Sequence, residues 1–207
     1  MNTTSRRALL IAAAVGAALL RGGEAMAAVA TGAQAPAFSA PDADGRARAL
    51  EEFRGRLVVL EWTNHECPFV KKHYGAKNMQ GQQKDATGKD VIWLTINSSA
   101  PGLQGHVDGL AANNIRHEAG AAQTAYLHDP DGSVGRLYGA KTTPHMFVID
   151  AAGRVAYQGA LDDRPATSGD PSTAKNYVRA AVEELLEGKA VALPQTKAYG
   201  CSVKYAK

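Results

Sequence analysis

The chain has 207 residues, of which 45% are hydrophobic and 21% charged, with 21 Gly and 9 Pro. This composition excludes a disordered, collagen-like or coiled-coil chain, and the length suits one domain with a sound core. Residues 1–27 hold three of the 23 basic and one of the 20 acidic side chains, so the formal +3 shrinks to about neutral beyond them. A near-neutral chain offers no electrostatic case for nucleic acid or an anionic membrane.

Residues 1–27 read as an export signal. Arg6-Arg7 is basic, Ala8–Leu20 is apolar and uncharged, and Ala25-Met26-Ala27 is a small-residue cleavage site. Thirteen apolar residues are too short to cross a bilayer as a helix. Ser5-Arg6-Arg7-Ala8-Leu9-Leu10 also resembles the twin-arginine export motif. A domain over 28–188 and a tail over 189–207 follow. Export leads to the periplasm, an oxidising compartment in which two cysteines can pair.

Thr31–Ala49, rich in Ala, Gly and Pro, reads as loop with a short hairpin. Leu57–Leu60 with Trp62, and Val91–Ile96, are nearly continuous apolar runs that suit strands buried on both faces. Residues 68–88 between them are helix-compatible, with a break at Gly75. Leu103, Val107, Leu110, Ala111, Asn114 and Ile115 fit one helical face. Ala125–Leu127 is a weak strand, Asp129–Gly132 a turn, and a short helix then ends at Gly139. Met146–Ile149 and Val155–Tyr157, joined at Ala151-Ala152-Gly153, predict an antiparallel hairpin. Asp170 and Pro171 predict the start of a last helix, with Ala174, Tyr177, Val178, Ala181, Val182 and Leu185 buried and Gly188 at its end. This order implies an α/β fold with a mixed central sheet covered by helices.

The most informative stretch is Trp62-Thr63-Asn64-His65-Glu66-Cys67-Pro68-Phe69-Val70, just past a buried strand. Pro68 suits the first helical position, which makes Cys67 the N-cap. Free backbone amides, the helix dipole and the nearby Lys71 and Lys72 then favour a reactive thiolate, while Glu66 opposes it. A buried, inert cysteine is the alternative. No cysteine stands three residues to either side, where Asn64 and Val70 are found, so no vicinal disulfide can form.

The Cys67 segment, together with three others, resembles the thioredoxin superfamily. Within it, the match is to peroxiredoxin-like redoxins of the alkyl hydroperoxide reductase and thiol-specific antioxidant type. Thr142-Thr143-Pro144-His145-Met146-Phe147 is similar to the superfamily's cis-proline segment. Asp150–Val155 with Tyr157–Asp163 resembles its hairpin and acidic loop, and Tyr199-Gly200-Cys201-Ser202-Val203-Lys204-Tyr205 resembles the redoxins' C-terminal ending. The resemblance spans residues 35–205. It implies a thioredoxin-like fold and Cys67 as nucleophile. Pro144 and Thr143 would face it, with Pro68, Thr63 and Lys71 shaping the site. Thr63 stands four residues before Cys67, where peroxiredoxins place a threonine three before. The implied chemistry is thiol–disulfide exchange with a peroxide or protein disulfide as oxidant, a thiol protein as reductant and no organic cofactor. Cys201 would resolve oxidised Cys67, or staple the tail, or never meet it. Two other readings are a copper-binding protein using Cys67 with His65 and His145, and a redox-inert interaction module with a structural disulfide.

Overall fold

The structure is a computed structural model that describes residues 28–207. The export-signal expectation therefore lies outside the described residues. Five strands form the central sheet: β3 (Val58–Trp62), β4 (Ile92–Asn97), β5 (Ala125–His128), β7 (His145–Ile149) and β8 (Val155–Gly159). Their spatial order is β5-β4-β3-β7-β8. The β3–β4 and β4–β5 pairs are parallel, while β3–β7 and β7–β8 are antiparallel. The anticipated hairpin joining β7 and β8 is thus present, as is the mixed sheet. Two short pairs flank it: β1 (Ser39–Pro41) with β2 (Ala47–Ala49), and β6 (Thr142–Thr143) with β9 (Cys201–Ser202).

Side chains alternate across a strand, so β3 serves two cores. Val58, Leu60 and Trp62 face one layer with Leu94, Ile96 and Phe147, closed by Phe38 and by Val134 and Tyr138 of α4 (Ser133–Tyr138). Val59 faces the other layer with Trp93, Met146 and Val148, closed by α2 (Asn78–Thr87) and α5 (Tyr177–Leu186). Glu61 shares that second face and is fully buried. Its carboxylate accepts from Trp93 Nε1 at 2.8 Å, Tyr74 Oη at 3.0 Å, Gln83 Nε2 at 3.2 Å and Thr95 Oγ1 at 3.2 Å. Burial raises its pKa, and the four donors pull it back.

The break expected at Gly75 is present: α1 (Pro68–Gly75) ends there, and Lys77, left-handed at φ 57°, precedes α2. Two boundaries differ from the sequence reading. α3 (Gly109–Ala119) begins only at Asp108, whose side chain accepts from the Ala111 amide. Leu103 therefore lies in the preceding loop, and Leu110, 73% exposed, faces solvent instead of the core. Asp170 and Pro171 start a three-residue 3-10 turn, and α5 has its own cap in Asn176, which accepts from the Arg179 amide. Ala174 thus lies outside the last helix, whose buried side chains are Val178, Ala181 and Val182.

Candidate active site

β3 delivers the chain to the helix that carries the nucleophile candidate. After Trp62, Asn64 Oδ1 accepts from the Glu66 amide at 2.9 Å and the Asn64 carbonyl accepts from the Cys67 amide at 3.0 Å. This tight turn puts Cys67 at the N-cap of α1 in extended geometry, with Pro68 at the first helical position. Cys67 is fully buried.

Opposite it stands the Thr143–Pro144 peptide, which is cis. As a thiol, Cys67 Sγ donates to the Thr143 carbonyl at 3.0 Å. The tail returns along the same segment: Thr143 pairs with Cys201 and Thr142 with Ser202 in antiparallel register. Gly200 permits that approach, because a Cβ there would lie 2.1 Å from the Thr143 carbonyl oxygen. The register brings Cys201 Sγ to 2.7 Å from Cys67 Sγ, with both cysteines free thiols.

The two sulfurs are electrically unequal. Burial pushes the Cys67 thiol up, but contacts with Cys201, the Thr143 side chain and the Val70 amide outweigh it and leave the group below an ordinary thiol. Burial and the neighbouring Cys67 push Cys201 up to about 11. Cys67 is therefore the better thiolate, and Cys201 keeps its proton.

The tail segment before Cys201 is tied to α1. Tyr199 packs on Phe69, with ring centroids 5.7 Å apart, and Lys72 Nζ lies 5.4 Å from the Tyr199 ring centre. Tyr199 Oη donates a short hydrogen bond to Asp162 Oδ1 and lies 3.3 Å from His73 Nε2. His73 and Asp162 are buried, and Asp162 Oδ2 has no hydrogen-bond partner, its nearest cation site being His73 Nε2 at 3.9 Å.

Cys67, Pro68, Thr143, Pro144 and Cys201 thus converge, and Thr63 and Lys71 line a cleft with His65, Val70, Ile115 and Arg116. Lys72 donates to the Arg164 carbonyl at 2.8 Å. Among the described residues no three His, Cys, Asp or Glu side chains gather as a metal site. His65 lines the cleft with Thr63 and Lys71, and His145 stacks on Phe147 while accepting from the Lys141 amide at 3.3 Å. No motif in the sequence marks Glu61, His73 or the packing of Tyr199 on α1.

The AhpC/TSA family profile matches residues 31–158, more than half of the chain and across the whole Cys67–Pro144 region. The chain belongs to the AhpC/TSA family. It is accordingly a thiol-dependent oxidoreductase of the thioredoxin superfamily. Among solved structures, this redoxin is similar to an uncharacterised conserved protein from Geobacillus kaustophilus, at 30% identity and TM-score 0.77, covering 86% of this chain and 93% of that one. A hypothetical protein from Sinorhizobium meliloti aligns at 29% identity and TM-score 0.75, over 87% and 97% of the two chains. A putative thiol:disulfide interchange protein from Chlorobium tepidum shares the fold, at 21% identity and TM-score 0.53, over 78% and 98%. No curated protein matches the chain.

Proposed function

We propose that this redoxin runs a two-cysteine cycle in which Cys67 attacks the oxidant and Cys201 resolves the product. The observation that carries this reading is the 2.7 Å separation of the two sulfurs, 134 residues apart in sequence. With a peroxide as oxidant, the Cys67 thiolate attacks one oxygen, the O–O bond breaks, and the other oxygen leaves as hydroxide or alkoxide and takes up a proton. Cys67 becomes a sulfenic acid. Cys201 sulfur then attacks the Cys67 sulfur, the S–S bond forms and the S–O bond breaks. The departing hydroxide takes the Cys201 proton as water. A thiol protein reduces the disulfide by exchange and is itself oxidised. With a protein disulfide as oxidant, Cys67 attacks it to form a mixed disulfide, which Cys201 releases. In both cases sulfur carries the electrons. Cis-Pro144 and Thr143 shape the face where a partner approaches.

The domain runs over 28–188 and the Cys201 tail over 189–207. The signal-like character of residues 1–27 supports export to the periplasm. No helix among the described residues is long and apolar enough to cross a membrane.

The test is to reduce the chain without residues 1–27, add a small excess of hydrogen peroxide, quench with an alkylating agent and map both cysteines by mass spectrometry. The expected result is a rapid Cys67–Cys201 disulfide that a thiol reverses. Recovery of both cysteines alkylated removes peroxide as the oxidant and leaves a protein disulfide as the next substrate to test.

A further inference from the structure

We infer that Tyr199, gripped by Asp162 and His73, is the positioning residue that holds the Cys201 strand over Cys67. This inference rests on the two-cysteine reading above.

The tail is secured on both sides of the site, and Tyr199 lies between. Upstream, Thr196 Oγ1 accepts from the Ala160 amide at 2.9 Å and lies 2.6 Å from Tyr157 Oη. Downstream, the Val203 amide donates to the Lys141 carbonyl at 3.1 Å and Tyr205 Oη to the Ala140 carbonyl at 2.8 Å. Those contacts fix the tail to β8 and to the segment before the cis-proline, and none of them touches α1. Cys67, however, is the cap of α1. Tyr199 bridges the two bodies: its ring rests on Phe69 and beneath Lys72, and its hydroxyl reaches His73 on the same helix and Asp162 after β8. Two residues on, Cys201 meets Cys67.

The hydroxyl has a defined polarity. Asn78 Nδ2 donates to His73 Nδ1 at 2.9 Å, so the ring proton sits on Nε2, which faces Tyr199 Oη. Burial holds His73 down at about 4, so the imidazole is neutral around pH 7. Tyr199 accepts from the imidazole and donates to the carboxylate, a charge-assisted bond inside a buried site. Asp162 Oδ1 accepts from Tyr199 and from the Arg164 amide at 3.0 Å, and Oδ2 has no partner, so Tyr199 supplies the one side-chain hydrogen bond to this buried carboxylate. Pulling Tyr199 away leaves the carboxylate with the Arg164 amide alone and bares the Phe69 face, so the strand is held in register by more than its two backbone pairs.

The step that depends on this register is resolution. Cys201 must approach the Cys67 sulfur in line with the S–O bond that breaks, and a strand free to shift by an ångström loses that alignment. Initial attack of Cys67 on peroxide needs no such alignment of the tail.

Tyr199→Phe keeps the ring and deletes only the hydroxyl. In the peroxide experiment, run at a pH where Cys67 is ionised in both chains and with dimedone added to trap sulfenic acid, this variant is expected to form Cys67 sulfenic acid at the wild-type rate. It should close the disulfide about tenfold more slowly or worse, as befits loss of a hydrogen bond to a charged group. Dimedone adduct at Cys67 should rise in proportion. Asp162→Asn, which keeps an acceptor for the tyrosine but removes the charge, should fall between the two and serves as the test should Tyr199→Phe not fold. Cys201→Ser marks zero closure. Closure at the wild-type rate in the folded variants, with no extra adduct, overturns the anchor while leaving the two-cysteine cycle intact. A wild-type chain that forms sulfenic acid and never closes overturns both.

Discussion

Gly200 adopts φ +144°, and a Cβ at that position would collide with the backbone of Thr143. Only glycine meets both demands. Gly200→Ala is therefore expected to push β9 off the cis-proline segment at a cost of about 1–3 kcal/mol. Disulfide closure should fail while the far-ultraviolet dichroism stays that of the wild type; closure at an unchanged rate would show that the approach tolerates a side chain. A second expectation concerns the electrical asymmetry of the pair. The Cys201 thiol is the first of the contacts that lower Cys67. Cys201→Ala should thus raise the pH at which Cys67 ionises, read from thiolate absorbance in the ultraviolet. An unchanged midpoint would assign the lowering to Thr143 and the α1 amides alone.

At the scale of elements, Glu61 ties the first two helices to the sheet. Tyr74 belongs to α1, Gln83 to α2, and Trp93 and Thr95 to β4, and all four donate to this one carboxylate. Glu61→Gln replaces an acceptor oxygen by an amide that faces donors. The expected loss is about 1–3 kcal/mol in denaturant unfolding, and a neutral result would mean that the donors repair themselves through water. The elements also show what a sequence discloses. β3, β4 and β7 are legible because burial on both faces leaves continuous apolar runs. Cys67 at a helix start is legible because Pro68 is a local signal, and the cis-proline segment is legible through its family resemblance. Helix starts are less so. Asp170-Pro171 has good capping grammar, yet that grammar sets a start and no length, and the turn it begins ends three residues later. His73, Asp162 and Tyr199 are far apart along the chain, and only the tertiary fold brings them together.

For the whole molecule, burial holds both His73 and His145 at about 4, against 6.5 for a free imidazole. The unfolded chain gains these protons near pH 6.5 and the folded chain refuses them until about pH 4. Each histidine's contribution is thus complete above pH 6.5 and lost as the pH falls toward 4, about 3 kcal/mol apiece. Glu61 and Asp129, whose pKa values burial raises, act in the opposite sense and offset part of that loss. The melting temperature is expected to decline steadily from pH 6.5 to pH 4, with two imidazoles titrating at the bottom of that window by NMR. Two imidazoles titrating near pH 6.5 would mean that these rings are hydrated. Oxidation should work the other way. A bond between Cys67 and Cys201 closes a loop through most of the domain, worth up to about 5 kcal/mol, so the oxidised form should melt higher than the reduced one.

The pairing of β6 with β9 has a consequence for how the molecule comes into being. Chains emerge from the ribosome N-terminus first, and Cys67 appears early, after β3. Every remaining strand of the central sheet, the cis-proline segment and α5 are made before Cys201 arrives. For most of its synthesis the polypeptide owns a single thiol, which can be oxidised but has no second thiol in its own chain to bond with. The second thiol arrives on the strand that pairs with Thr142–Thr143. Competence therefore switches on at the end of synthesis, and a nascent or C-terminally clipped chain would hold a lone cysteine without its counterpart.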